Sequence, residues 1–328
     1  MLTDSFQRKI DYLRLSLTDL CNIRCHYCIP PEGIGKMHRS NLLTFEEIER
    51  MVRILAGLGI RRVRLTGGEP LVRKGLPGLI HRLAGVEGLT EVLLTTNGTL
   101  LKPLAAALRE AGLKKINIHL DTLDPDKFLK ISQGGRVEDV MDGIRAARDA
   151  GFLPIKLNVV LQRGINDGEI EDLLRFSADN GLILRLIELM PIGPGVDLMP
   201  KLFVPVDEIR RRLAETFTLI PSTVRPGSGP AVYYKVKELD TLIGFISPVS
   251  QPFCEGCNRI RISSDGRFQD CLAYDGTFSL RNLLRDPSLS DEEVSRRIQD
   301  LLAGKREGHN DFVQLPTVRT PCMNGIGG

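Results

Sequence analysis

From Tyr12 to about Met190 the chain repeats one pattern six times: a short β-rich run, a polar or Gly-rich turn, then an amphipathic helix. No other feature restricts the fold as strongly. Strands separated by helices pair in parallel, and the helices must cover a face of the resulting sheet. The strand segments read 13–17, 62–66, 91–96, 115–121, 155–161 and 182–189. Helices are expected over 44–57, 101–111, 137–150 and 167–180. The first opens with a capping box, Thr44 with Glu47, and gathers Phe45, Ile48, Val52 and Leu55 on one face. Gly112, Gly151 and Gly181 follow three of the four predicted helices as C-terminal stops. The expected fold class is α/β: an incomplete (βα)6 barrel, with an open doubly wound sheet as the other arrangement this order allows.

The strands themselves favour the barrel. Strands buried on both faces should be apolar throughout, and these alternate. Leu13, Leu15 and Leu17 are interleaved with Arg14 and Ser16, and Val63 and Leu65 with Arg62, Arg64 and Thr66. Ile116, Ile118 and Leu120 are interleaved with Asn117, His119 and Asp121. Ile155, Leu157 and Val159 are interleaved with Lys156 and Asn158. Neighbouring side chains point to opposite faces, so one face suits a helical coat and the other is polar and cationic. One such strand would read as a solvated end. Four in step predict a polar lumen, which in a parallel barrel binds ligand at the carboxyl ends of the strands.

Beyond Met190 the character changes, so the domains are expected at 1–190 and 191–328, the second a smaller α+β unit closing the barrel. Residues 191–205 are rich in Pro and Gly and read as a long loop, as do 224–230. A helix is expected over 205–214, short strands near 232–235, 241–246 and 259–262, and a last helix from Ser290, with Glu293 completing its capping box, towards Ala303. Lys and Arg number 44 against 41 Asp and Glu, a net charge of only +3, which argues against a generally basic nucleic-acid binder. No run of apolar residues is long enough to span a membrane, and residues 1–10 carry no signal-peptide core. A cytoplasmic protein that binds neither membrane nor nucleic acid is expected.

Seven cysteines are too few for a disulfide scaffold of this length, and they are bunched: Cys21, Cys25 and Cys28; Cys254, Cys257 and Cys271; then Cys322 alone. Thiols clustered so in a reducing compartment read as metal ligands. The first group is Cys-x3-Cys-x2-Cys, three thiolates that can wrap one side of a soft-metal centre and leave one iron of a cubane free for a small chelating molecule. A zinc site with His26 as fourth ligand is the alternative. The second group is Cys-x2-Cys-x13-Cys. A zinc ribbon is its alternative, but no His or Cys lies nearby to supply a fourth ligand. Arg259 and Arg261 follow it on one strand face, where paired guanidinium groups can fork onto phosphate oxygens.

The first triplet, after the first strand and followed by Gly67-Gly68-Glu69-Pro70, resembles the signature of the radical S-adenosylmethionine superfamily. That resemblance implies a [4Fe–4S] cluster whose open iron holds S-adenosylmethionine by its amino and carboxylate groups. It also implies an electron transfer that yields methionine and a 5′-deoxyadenosyl radical. Nearly the whole chain is similar to the GTP 3′,8-cyclase family of molybdenum cofactor biosynthesis. The match runs through Tyr-Leu-Arg-Leu-Ser-Leu-Thr-Asp, Arg-Leu-Thr-Gly-Gly-Glu-Pro, Thr-Thr-Asn-Gly, Lys-x-Asn-Val-Val, Arg-x-Ile-Glu-Leu-Met-Pro-Ile-Gly, the second triplet and the terminal Gly-Gly.

Carried over position by position, this resemblance implies that Cys21, Cys25 and Cys28 hold one [4Fe–4S] cluster and Cys254, Cys257 and Cys271 a second. Tyr27, Gly68, His119 and Met190 then meet S-adenosylmethionine. Arg14, Arg64, Thr95, Lys156, Arg185, Arg259 and Arg261 line the GTP site, with Arg14, Arg259 and Arg261 catalytic. The implied chemistry is removal of the ribose 3′ hydrogen, attack of that carbon on guanine C8, and quenching by one electron and one proton. The implied partners are an electron donor, a downstream cyclic pyranopterin monophosphate synthase and a second copy in a homodimer. His119 stands where the family commonly has Ser, and Cys322 matches no family role. A radical enzyme that modifies a peptide, and a zinc-binding RNA-recognition module, are the rival readings.

Overall fold

The structure, a computed structural model, describes residues 2–33, 35, 37–274, 276–308 and 323–326. Their strands form one twelve-stranded sheet. Its centre is six parallel strands in chain order: β1 (Tyr12–Ser16), β2 (Arg62–Thr66), β3 (Glu91–Thr96), β4 (Lys115–His119), β5 (Ile155–Leu161) and β6 (Leu182–Glu188). The later strands are β7 (Leu219–Pro221), β8 (Val232–Val236), β9 (Thr241–Ile246), β10 (Arg259–Ile262), β11 (Arg267–Gln269) and β12 (Phe278–Ser279). β9 joins β6 in parallel and carries β8 and β7 antiparallel beyond it. β10 joins β1 in parallel and carries β11 and β12 beyond it. The C-terminal chain thus extends both flanks of the N-terminal sheet, and residues 247–258 run from one flank to the other.

The expected parity holds. Leu13, Leu15, Val63, Leu65, Ile116, Ile118, Ile155, Leu157 and Val159 are wholly buried beneath the helices. At about 1.5–3 kcal/mol for each such side chain removed from water, this coat is the main force closing the layer. Helix Phe45–Leu58 starts from Thr44, and both halves of the capping box form: Glu47 N–H donates to Thr44 Oγ1 (3.2 Å) and Thr44 N–H to Glu47 Oε2 (2.7 Å). Gly112, Gly151 and Gly181 have φ of 103°, 78° and 66°, the left-handed backbone that ends a helix most easily at glycine.

Several local expectations are corrected. Residues 195–202 of the supposed long loop form helix Gly195–Leu202, with Pro200 inside it. A Cβ on Gly195 would stand 2.1 Å from the Met190 carbonyl oxygen, so the turn into this helix requires glycine. The helix expected from 167 begins at Ile170, because Asn166 instead knits the preceding turn, donating from Nδ2 to the Asp121 and Val160 carbonyls (both 2.9 Å). At Ser290 only half the capping box forms: Ser290 Oγ accepts from Glu293 N–H (3.3 Å), while Glu293 pairs with Arg296 and Arg297. Among the described residues, no helix is long and apolar enough to cross a membrane.

Candidate active site: a cationic lumen beside a cysteine loop

The inward strand positions converge on a cavity of about 300 Å³. Arg14, Arg64, Thr95, Lys156, Arg185, Arg259 and Arg261 all line it. So do Cys21, Cys25, Cys28, Tyr27, Gly68, His119 and Met190. Strand parity and family resemblance therefore select one surface. Cys254, Cys257 and Cys271 do not line the cavity; they flank it through Phe253 and Leu272, which do. Arg261 links the two regions, lying within electrostatic reach of the Cys257 and Cys271 thiols. Cys322, Gly327 and Gly328 lie outside the described residues, whereas Met323, in the short helix Met323–Ile326, reaches the cavity wall.

Hydrogen bonds fix three of these cations, Arg64, Arg185 and Lys156. Arg64 donates from Nε to Tyr12 Oη (2.5 Å) and from Nη1 to the Leu94 carbonyl (2.9 Å). Arg185 donates from Nε (2.9 Å) and Nη2 (2.5 Å) to Asn158 Oδ1. Asn117, with its amide oxygen turned inward, accepts from both Arg185 Nη2 (2.7 Å) and Arg64 Nη1 (3.1 Å). Lys156 Nζ donates to the Pro226 carbonyl (3.0 Å) of the 222–231 loop. Gathering like charges out of water penalises each of them. Burial, with Arg261, Arg64 and Arg259 nearby, lowers Arg14 well below its usual value. Burial and Arg259 bring Arg261 to about 10. Burial with Arg185, Arg64 and Lys115 brings Lys156 to about 7. Six cations therefore face one lumen, and a polyanion placed among them would relieve their mutual repulsion.

The Gly-Gly-Glu-Pro turn holds the cysteine loop to β2. Gly68 N–H donates to the Thr18 carbonyl (2.7 Å) and Glu69 N–H to the Leu20 carbonyl (2.8 Å). A Cβ on Gly68 would stand 2.2 Å from that Leu20 oxygen, so the approach admits glycine alone. Glu69 is wholly buried and accepts from Leu71 N–H (2.9 Å), Thr96 Oγ1 (2.8 Å) and Asn97 N–H (2.7 Å). Burial raises its carboxyl to about 7 against those donors. The loop's far side docks on helix Pro125–Ser132, where Arg24 and His26 N–H groups donate to the Ser132 and Ile131 carbonyls (2.7 and 3.0 Å).

His119 belongs to a three-way contact. Asp121 Oδ2 accepts from Tyr27 Oη (2.7 Å) and faces His119 Nε2 (2.9 Å), and Tyr27 Oη and His119 Nε2 are themselves 2.5 Å apart. Burial opposes a charged imidazole here, but the Asp121 carboxylate outweighs it and raises His119 above its usual value.

Two residues that position the site went unrecognised in the sequence. Glu69 looks like a turn residue. Glu188, at the end of β6, looks like a surface charge, yet it is wholly buried. Its carboxylate accepts from Val206 N–H (3.1 Å), Val249 N–H (3.0 Å), Ser250 N–H (2.9 Å) and the Ser250 hydroxyl, tying the 247–258 connection to the sheet. Their only sequence signal is a carboxylate at the carboxyl end of a parallel strand, where barrel sites gather.

The residues present fit an iron–sulfur cluster at the first triplet. Cys21, Cys25 and Cys28 share one cavity wall and are not joined by a disulfide, and Asn97 Nδ2 stands 3.8 Å from Cys21 Sγ. His26, the fourth ligand a zinc site needs, has Nε2 paired with Gln162 Oε1 (2.6 Å) instead. Among the described residues, no three Cys, His, Asp or Glu side chains converge closely enough to share a single ion.

A parallel partial barrel whose first loop carries this triplet beside a Gly-Gly-Glu-Pro turn defines a radical S-adenosylmethionine protein, and the Radical SAM superfamily profile matches residues 15–177. A second profile, Molybdenum Cofactor Synthesis C, matches residues 182–311. The chain belongs to the GTP 3′,8-cyclase family. It is 41% identical to the GTP 3′,8-cyclase of Alkaliphilus metalliredigens across 100% of both chains. It is 44% identical to that of Hydrogenovibrio crunogenus across 100% of this chain and 99% of that one. The Moorella thermoacetica enzyme is 45% identical over 87% of this chain and 88% of its own. Among solved structures, Streptococcus suis SuiB bound to its precursor peptide SuiA has a TM-score of 0.62 at 14% identity, covering 96% of this chain and 68% of that one. That likeness shows the fold alone.

Proposed function

We propose that this chain is a GTP 3′,8-cyclase, a cytoplasmic lyase converting GTP to (8S)-3′,8-cyclo-7,8-dihydroguanosine 5′-triphosphate in the first step of molybdenum cofactor synthesis. The observation that carries the reading is the convergence of Arg14, Arg64, Lys156, Arg185, Arg259 and Arg261 on one cavity whose wall includes the first cysteine triplet. A triphosphate answers that charge, and a neutral peptide segment does not. Full-length identity above 40% with cyclases from two organisms supports the same substrate.

On this reading Cys21, Cys25 and Cys28 hold one [4Fe–4S] cluster within residues 1–190, and Cys254, Cys257 and Cys271 hold the second within 191–328. When bound, the first cluster with S-adenosylmethionine supplies the radical that removes the ribose 3′ hydrogen. Gly68, Tyr27, His119 and Met190 surround S-adenosylmethionine. Glu69 keeps the Gly68 backbone in place from behind. Arg64 and Arg185, locked by Asn117 and Asn158, and Lys156 hold the phosphates. Thr95 adds a hydroxyl to the same wall. Arg14, Arg259 and Arg261 add their charge to the same lumen, position GTP and carry charge as the product is quenched. The buried walls keep water from the reacting carbon. The product then passes to a cyclic pyranopterin monophosphate synthase. An electron donor reduces the clusters, and a second copy of the chain can complete a homodimer.

The test is anaerobic incubation of the reconstituted protein with GTP, S-adenosylmethionine and reductant, followed by mass analysis. A GTP isomer with matching 5′-deoxyadenosine is the expected result. Unchanged GTP with turnover on a peptide would overturn it.

A further inference from the structure

The second cysteine triplet is split between two stretches of chain. Cys254 and Cys257 lie on the 247–258 connection, and Cys271 follows β11. A third stretch, residues 305–307, holds the Cys271 side directly and the Cys254 side through Arg8. Lys305 Nζ donates to the Asp270 carbonyl, next to Cys271. Arg306 N–H donates to Asp270 Oδ2 (3.0 Å), and its guanidinium lies 3.6 Å from Oδ1. From the opposite side, Arg8 Nη1 donates to the Cys254 carbonyl (2.9 Å) and to the Glu307 carbonyl, and Nη2 donates to the Arg306 carbonyl (2.6 Å). Arg8 Nε is braced by Asp4 Oδ2 (2.6 Å). Arg8 and Lys305 are only 8% and 3% exposed. A buried guanidinium closed on three main-chain carbonyls is costly to remove, because three charge-assisted hydrogen bonds between separate stretches of chain are lost together.

We propose that Arg8 and Lys305 are positioning residues that clamp the two halves of the second triplet, setting the spacing of Cys254, Cys257 and Cys271 for an iron–sulfur cluster. The inference rests on the two-cluster reading above and extends it to residues outside the cavity. Both side chains are cationic, so the clamp that draws the loops together also sets positive charge beside the three sulfur ligands.

The test compares the anaerobically reconstituted full chain with Arg8→Gln, Arg8→Lys and Lys305→Met. It measures iron and sulfide per chain, the electron paramagnetic resonance of the reduced protein, and S-adenosylmethionine cleavage without GTP. The unaltered protein should hold about eight iron atoms, two cubanes. Arg8→Gln and Lys305→Met should fall to about four while keeping the first cluster's signal and S-adenosylmethionine cleavage. Arg8→Lys, which keeps the charge but reaches fewer carbonyls, should lie between. Either neutral variant retaining about eight iron atoms with an unchanged signal overturns the clamp. Should Arg8→Gln fail to fold, Lys305→Met carries the test, since it removes one charge and one donor from a stem of similar length. An unaltered chain holding only about four iron atoms overturns the two-cluster reading instead, which separates the two failures.

Discussion

Lys156 offers a test in which stability and affinity move in opposite directions. Its Nζ is brought to about 7 by burial and by Arg185, Arg64 and Lys115, with Glu91 opposing them. The ordinary lysine value is 10.5, so between pH 7 and 10.5 the unfolded chain binds the extra proton. The folded form is penalised fully below pH 7 and progressively less as pH rises through that window. At ~1.36 kcal/mol per pH unit, the penalty is roughly 5 kcal/mol at pH 6 and roughly 2 kcal/mol at pH 9. Lys156→Met removes it, at the cost of about 1 kcal/mol for the bond to the Pro226 carbonyl. The variant should therefore melt higher than the parent by roughly 5 °C at pH 6, with the gap narrowing towards pH 9. GTP should reverse the order. A phosphate beside Nζ restores the lysine charge, so the parent gains a charge-assisted bond and the variant should bind GTP about 10- to 100-fold more weakly. Anaerobic thermal melts with and without GTP at pH 6 and 9 give both readings. A variant that melts no higher than the parent at pH 6, or whose advantage does not shrink with pH, would refute the charge-crowding argument.

Other substitutions probe the rest of the site. Gly68→Ala should lose the first cluster's iron and S-adenosylmethionine cleavage, because its Cβ has no room against the Leu20 and Asp19 backbone; iron analysis decides it. Asn117→Asp places an anion between Arg64 and Arg185. It should raise the melting temperature of the free protein yet weaken GTP binding at least tenfold, on the order of 1.4 kcal/mol, as calorimetry would report. Glu188→Ala strips the acceptor from Val249 and Ser250 and should cost about 2–4 kcal/mol. Amide exchange should accelerate across residues 247–258 while the central strands stay protected.

The central strands were legible in the sequence because their information is local. Arg14, Arg64, Asn117 and Lys156 were turned inward by period-two alternation alone, and the structure places all four on the cavity. The cysteines were legible through spacing. What escaped depends on contacts between distant residues. Nothing near Thr241–Ile246 or Arg259–Ile262 reveals that the first joins β6 and the second joins β1. Glu69 and Glu188 carry no local mark of burial, since a carboxylate is ordinarily solvated. Helix Gly195–Leu202 was hidden by Pro194, Gly195 and Pro200, residues that normally signal a loop. Tertiary packing overrode that signal through the close approach of Gly195 to Met190.

Placing β9 and β10 on opposite borders of the sheet imposes an order on assembly. The first cysteine loop is held by β2, the helix Pro125–Ser132, Asn97 and Gln162, all available once the N-terminal half has been made. The second triplet needs both borders in place and residues 305–307 delivered across them. In a chain leaving the ribosome the first cysteine loop can thus form early, whereas the three cysteines of the second triplet come together only once residues 305–307 have been made. Splitting the gene near codon 190 would leave each fragment with a raw strand margin that only the other can cover.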